Sequence, residues 1–479
     1  MKKLVFVTGY LLLTCLPGKQ VAGLYAQTIT QKLQKAWQQF EADPQLKHAI
    51  SSLYVIDAKT GKVVFDKNSQ VGLAPASTQK IITAATAFEL LGKDYRYKTE
   101  FGQCIDSEKD ICIWVNPSGD PTFGSWRWGS TQEKNLLSAI MNGLKGVDFN
   151  RCKGMVINGI GWNAEQIPDG WIWQDIGNYY GAGAGILNWR ENQFDLFLKS
   201  GNKIGDRVTI VGTAPVLYSY KIICEAMSAA RGSGDNSYIY IPSHYSNAVV
   251  RGTIPINEER FKISGSIMNP ANEFLTVFKD SLSHRYSWRG SEEKGFITYG
   301  GLLRTPHIYY THYSPHLDSI IYWFLQKSIN FYGEALIKTF ASHNKKLRSM
   351  VDTNLVVGIT DSGVATVKHF WKQKGIDEDE LNMYDGSGLS PLNRVTAHAQ
   401  VEILKYAKTK NWFPYFYDAL PEFNGMKIKS GSISDVKGFC GYHKAKDGNE
   451  YIFSFLVNNY SGTSSGVVSK MYKVLDVLK

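Results

Sequence analysis

Apolar residues recur at helical spacing over 29–40, and the pattern then changes to strand-like runs over 51–57 and 62–65. Between those runs Ala58-Lys59-Thr60-Gly61 places glycine where a hairpin turns. Next comes Pro75-Ala76-Ser77-Thr78-Gln79-Lys80, followed by an apolar stretch that stops at Gly92. Proline before the start and glycine after the last turn predict a helix opening near Ser77.

From Tyr95 the texture alters. Short strand-sized runs alternate with loops across 96–299, among them 207–213 and 237–241, and a nested subdomain is expected near 195–265. Helical spacing returns over 317–340, behind Pro315, and in part over 350–374. Residues 384–391 form a glycine-rich turn, 426–432, 438–444 and 451–458 read as neighbouring antiparallel strands, and 467–478 closes the chain as a helix.

Length and composition narrow the class. At 479 residues, 43% hydrophobic and with charges scattered rather than in blocks, the chain is globular and too long for one core. Residues 1–26 have the form of a secretory leader: Lys2 and Lys3, an apolar run from Leu4 to Leu16, and Tyr25-Ala26 ahead of Gln27 as a cleavage point. No later apolar run is long enough to span a membrane, so an exported protein is expected, periplasmic in a Gram-negative host. Peripheral membrane association and oligomeric state stay open. Without residues 1–26, which hold Lys2, Lys3 and Lys19 and no acid, the formal charge falls from +10 to +7, which suits an anionic envelope, and no basic run interleaved with aromatics suggests nucleic acid. Beyond the leader lie Cys104, Cys112, Cys152, Cys224 and Cys440. Cys104 and Cys112 flank a polar loop and could pair, but neither cysteine nor histidine spacing fits a metal site, and no cofactor motif is present.

The candidate chemistry begins at Ser77-x-x-Lys80. Residues three apart share a helix face, so a lysine amine can take the proton of a serine hydroxyl there, provided it is neutral. The spacing alone is weak, since Ser200/Lys203, Ser291/Lys294, Ser342/Lys345 and Ser434/Lys437 repeat it. Two further signals follow in order, Ser328-Ile329-Asn330 and Lys429-Ser430-Gly431, and the three resemble the S-x-x-K, S-D-N and K-T-G trio of penicillin-binding proteins and β-lactamases, with Ile329 where Asp is usual and Ser430 in place of Thr, keeping the hydroxyl. Lys59-Thr60-Gly61 and Ser200-Gly201-Asn202 match single members, but they fall in a hairpin turn and within the insert.

With Gly119-Asp120-Pro121-Thr122, Gly170-Trp171-x-Trp173-x-Asp175, Glu334 and Asp385-Gly386-Ser387-Gly388-Leu389-Ser390, the trio resembles the D-alanyl-D-alanine carboxypeptidase/endopeptidase family, the class C low-molecular-mass penicillin-binding proteins. The resemblance implies an α/β (α+β) transpeptidase-like domain, an antiparallel sheet flanked by helices, made from 27–95 and 300–479 around the β-rich insertion 96–299. It implies Ser77 as nucleophile, Lys80 as base, Ser328 and Asn330 as proton relay and positioning groups, and Lys429 as the cation for a substrate carboxylate. Ser430, Gly431 and Ser432 would bind substrate, while Asp175 and Tyr180 would meet the amino end of a stem-peptide side chain. Peptidoglycan stem peptides would be the substrate and β-lactams covalent inhibitors. A β-lactamase or a non-catalytic peptidoglycan scaffold of the same fold are the alternatives.

Overall fold

The computed structural model describes residues 27–105, 109–159, 165–218, 220–241, 247–288, 290, 295–298, 306–343 and 358–479. The leader segment 1–26, the first part of the 350–374 expectation, and the Ser291/Lys294 pair lie outside them.

The two ends of the chain build one six-stranded antiparallel sheet, in the order Glu422–Phe423, Met426–Ile433, Val436–Lys444, Glu450–Asn458, Ile50–Asp57 and Val63–Lys67. Ile50–Asp57 lies between a late strand and its own hairpin partner, with Leu53 opposite Phe455. Alternation sets its two faces. Leu53 and Val55 point to a core with Trp37, Phe40 and Phe455, covered by helices Ile29–Glu41 and Ser464–Leu475. Tyr54 and Ile56 point to the larger core, filled by Lys80–Leu90, Leu317–Gln326, Asn330–His343 and Ala397–Lys408. Because both faces are covered, residues 51–56 are all buried. Thr28 and Gln31 close the first helix with a reciprocal capping box.

Three smaller sheets occupy the interval between the Ser77 and Ser328 motifs. The first is five-stranded and mixed, ordered Gly295–Thr298, Cys152–Asn158, Ile111–Asn116, Lys98–Ile105 and His307–Tyr313. It packs with helices Glu133–Gly143 and Pro270–Tyr286 around Phe101, Phe123, Phe274 and Phe278, so the interval is less purely β than its sequence texture suggests. Its edge strand His307–Tyr313 also carries this sheet past residue 299. Cys104 and Cys112 are register partners across two of its strands. A three-stranded sheet (Phe261–Ser266, Gln193–Lys199, Thr209–Ala214) and a four-stranded one around Asn247–Pro255 share a further core containing Phe194, Leu196, Ile239 and Val250.

Two local departures bear on the site. The nucleophile helix begins with a 3₁₀ turn, Ala76–Gln79, and only then becomes the α-helix Lys80–Leu90. The single helical run expected over 317–340 is two helices, Leu317–Gln326 and Asn330–His343. Ser328, in the break, has φ 56°, left-handed backbone that no α-helix can contain. The apolar period runs on through Ile329 and Phe331, which is why periodicity alone conceals the break.

Candidate active site

Three remote segments converge at the mouth of the nucleophile helix. Ser77 stands in the 3₁₀ turn, behind Ala76 at φ 46°. One turn on, Lys80 is fully buried, and its Nζ lies 2.9 Å from Ser77 Oγ, 2.6 Å from Asn330 Oδ1 and 2.7 Å from the Ser387 carbonyl. Burial first, and the charge of Lys429 second, hold the Lys80 ammonium well below its ordinary pKa, against the opposing pull of Asp385 and Glu334. A neutral amine has two N–H groups and one lone pair. Asn330 Oδ1 and the Ser387 carbonyl take the first two, which leaves the lone pair to accept from the Ser77 hydroxyl.

Lys429 lies on the strand Met426–Ile433, 1% exposed, and donates to Ser328 Oγ at 2.9 Å and to the Ser430 carbonyl at 2.9 Å. Burial pulls its pKa down to about 7. Asn330 also donates to the Tyr180 carbonyl at 2.8 Å, which ties the aromatic segment 170–181 to the same centre. Gly431 explains why this strand can lie against the helix mouth: a Cβ there would fall 2.7 Å from Pro75 O, 2.8 Å from Thr78 N and 2.9 Å from Ser77 N. Those atoms are backbone and cannot step aside.

The Asp385–Ser390 turn is the scaffold behind the nucleophile. The Asp385 carboxylate accepts from Gln79 Nε2, the Gly388 and Ser390 amides, Trp171 Nε1 and Asn393 Nδ2, all within 3.1 Å. Gly388, at φ 82°, would drive a Cβ to 1.9 Å from Ala76 O. Gly386 and Gly333 meet backbone to backbone in the same way. Glu334 adds a group with no role assigned from sequence. It is fully buried, accepts from the Gly386 amide at 3.1 Å, and its pKa is pushed up to about 8 by burial and by Asp385.

A cleft of about 370 Å³ opens over these groups, lined by Ser77, Ser328, Asn330 and Ser432 on one side and by Asp175, Tyr179 and Tyr180 on another. Asp175 and Tyr180 both line it, and burial raises both pKa values. Of the site residues named from the sequence, Ser77, Ser328, Asn330, Ser432, Asp175 and Tyr180 line this cleft, Lys429, Ser430 and Gly431 lie on the strand Met426–Ile433, and Lys80 is buried on the helix behind Ser77. Gly119-Asp120-Pro121-Thr122 instead folds on itself: Asp120 accepts from the Thr122 amide and hydroxyl, and Asn188 binds its backbone. Among the described residues no group of His, Cys, Asp or Glu is placed to hold a metal ion.

The sequence matches the D-Ala-D-Ala carboxypeptidase 3 (S13) family over residues 33–422. The chain belongs to this family. It is similar to the D-alanyl-D-alanine carboxypeptidase of Actinomadura sp. (strain R39), 24% identical over 469 residues that cover 88% of this chain and 80% of that one. It is also similar to the D-alanyl-D-alanine carboxypeptidase DacB of Haemophilus influenzae, 21% identical over 423 residues, 84% of this chain and 83% of that one. The crystal structure of penicillin binding protein 4 (dacB) from Haemophilus influenzae superposes with a TM-score of 0.74 at 18% identity, covering 93% of this chain and 98% of the other. At that identity the likeness establishes the fold. The α/β architecture expected from the motifs is thus the one observed, and the family is that of a serine carboxypeptidase.

Proposed function

We propose that this cleft cleaves the peptide bond after D-alanine in peptidoglycan stem peptides through an acyl-enzyme on Ser77. The observation that carries the proposal is the placement of the buried Lys80 amine, its pKa held well below the ordinary value, 2.9 Å from the Ser77 hydroxyl. Lys80 takes the hydroxyl proton as Oγ attacks the carbonyl carbon. The amides of Ser77 and Ser432 receive the oxyanion, each donor contributing roughly 3–4 kcal/mol in comparable hydrolases. The C–N bond then breaks, and the proton held by Lys80 is relayed through the hydroxyl of Ser328, itself held by Lys429, to the leaving amine, which returns Lys80 to its neutral form. Lys429 in its charged form, with the Ser430 hydroxyl, holds the terminal carboxylate. Asp175 and Tyr180 meet the amino end of the stem-peptide side chain. Water finally releases the acyl group and restores Ser77.

One cleft serves a terminal D-alanine (carboxypeptidase) and a cross-linked one (endopeptidase), because the scissile bond is chemically the same. A β-lactam presents its strained amide to the same serine and leaves a slowly released adduct. The leader-like segment 1–26 and the positive charge support export to the cell envelope, the periplasm in a Gram-negative host. No helix among the described residues is long and apolar enough to cross a membrane.

The test is incubation with defined monomeric and cross-linked muropeptides, with products identified by mass, beside benzylpenicillin labelling. Loss of one alanine or splitting of the cross-link, and an adduct on the Ser77 peptide, are expected. In Ser77→Ala both should fall by at least ~10⁴-fold. Unchanged products from Ser77→Ala would overturn the mechanism, and rapid steady-state hydrolysis of penicillin would make the protein a β-lactamase.

A further inference from the structure

A second pocket, about 500 Å³, lies away from the cleft and shares no lining residue with it. Its floor is the outer face of the three-stranded sheet. Along Gln193–Lys199 the residues Phe194, Leu196 and Leu198 are buried inward, so Gln193 and Asp195 point out, and Ser264 is the register partner of Asp195. A wall rises from the loop carrying Trp126 and from Glu133 at the start of helix Glu133–Gly143.

Two properties define what this pocket accepts. Its charges are already balanced internally: Arg190 is paired with Glu133, and Lys262 lies 3.2 Å from Asp195. Nothing there calls for a charged ligand, yet hydroxyl, amide, carboxylate and guanidinium groups all face the space. Its wall also carries an aromatic ring. Trp126 is 50% exposed, and the Arg127 guanidinium, 5.5 Å from its ring centroid, is held by two bonds to the buried Glu191. An open indole ring beside planar hydrogen-bonding groups is the chemistry that holds a sugar ring, whose apolar C–H face stacks while its hydroxyls bond outward.

The backbone at the rim adds an independent sign. Arg190, Glu191 and Asn192 have φ of 54°, 53° and 52°, three successive non-glycine residues in left-handed geometry. Such backbone persists only where the surroundings fix it. Here it is fixed by Asn192 Oδ1 on the Trp189 amide and by the Glu191 bonds to Ser125, Arg127 and Tyr332. The result is that Arg190 lines the pocket from one side while Glu191 turns into the core.

We propose that this pocket is a binding site for a neutral saccharide, separate from the acylation cleft and independent of the reaction carried out there. The test is calorimetric titration of the full chain with the tetramer of N-acetylglucosamine. Binding in the millimolar range or tighter is expected, with the same affinity after benzylpenicillin has acylated the protein. Trp126→Ala and, separately, Asp195→Asn should weaken it by about tenfold or more. Both variants should keep the parent's thermal unfolding midpoint and its hydrolysis of a short D-alanyl-D-alanine peptide. Absence of binding, binding indifferent to both substitutions, or binding lost on acylation would each overturn the proposal.

Discussion

The cleft and the second pocket handle charge in opposite ways. In the cleft two lysines are buried with neutral oxygens as their hydrogen-bond partners, and each is pushed toward its uncharged form. In the pocket each cation has a carboxylate beside it. Unpaired burial makes an amine titrate where chemistry can use it, whereas pairing leaves a surface that recognises shape and hydrogen bonds. The same side-chain types thus serve reaction in one region and recognition in the other.

The strongest way to break this contrast is Lys80→Arg, which keeps the cation and removes the ability to lose its proton. Acylation by benzylpenicillin should slow by about 10³-fold, with the fold intact by circular dichroism. Gly431→Ala leaves every reacting group in place but forces the strand off the helix mouth. A displacement of that order should cost about 10²-fold in acylation rate, measured by stopped flow.

Titration sharpens the contrast. Below the depressed Lys80 pKa the amine is protonated and cannot accept from Ser77, so kcat/KM falls on the acid side. In the free enzyme Lys429 loses its proton near about 7, so binding of a carboxylate substrate weakens on the alkaline side, giving a bell. Stability moves differently. Between about 7 and the ordinary 10.5 the unfolded chain holds a proton on Lys429 that the folded one lacks, so this group makes stability rise with pH across that window. Urea denaturation at a series of pH values, compared between the parent and Lys429→Met, isolates the contribution. The smallest effect belongs to the pocket. Asp195→Asn uncouples a partly exposed pair and should change unfolding free energy by less than about 1 kcal/mol in urea titrations.

The chemistry was legible in the sequence because its motifs are local. Ser77 and Lys80 share a helix turn, and Lys429-Ser430-Gly431 sits on a strand that its own alternation reveals. What escaped depends on distant contact. The break at Ser328 is hidden by an apolar period that continues through it, and the meeting of Gly333 with Gly386 joins segments whose separation no local pattern spans. Glu334 reads as one more helical glutamate until the fold removes it from water. The pocket was missed for a related reason: Trp126, Arg190 and Asp195 lie on three different segments and match no motif.

The central sheet places Ile50–Asp57, one of the earliest strands, beside Glu450–Asn458, one of the last. A ribosome that has made Ser77 and Lys80 has yet to make Lys429 and the strand that carries it, so the cleft stays incomplete until the late strands arrive. Assembly must wait for nearly the whole polypeptide, and pairings of such long range are slow to form.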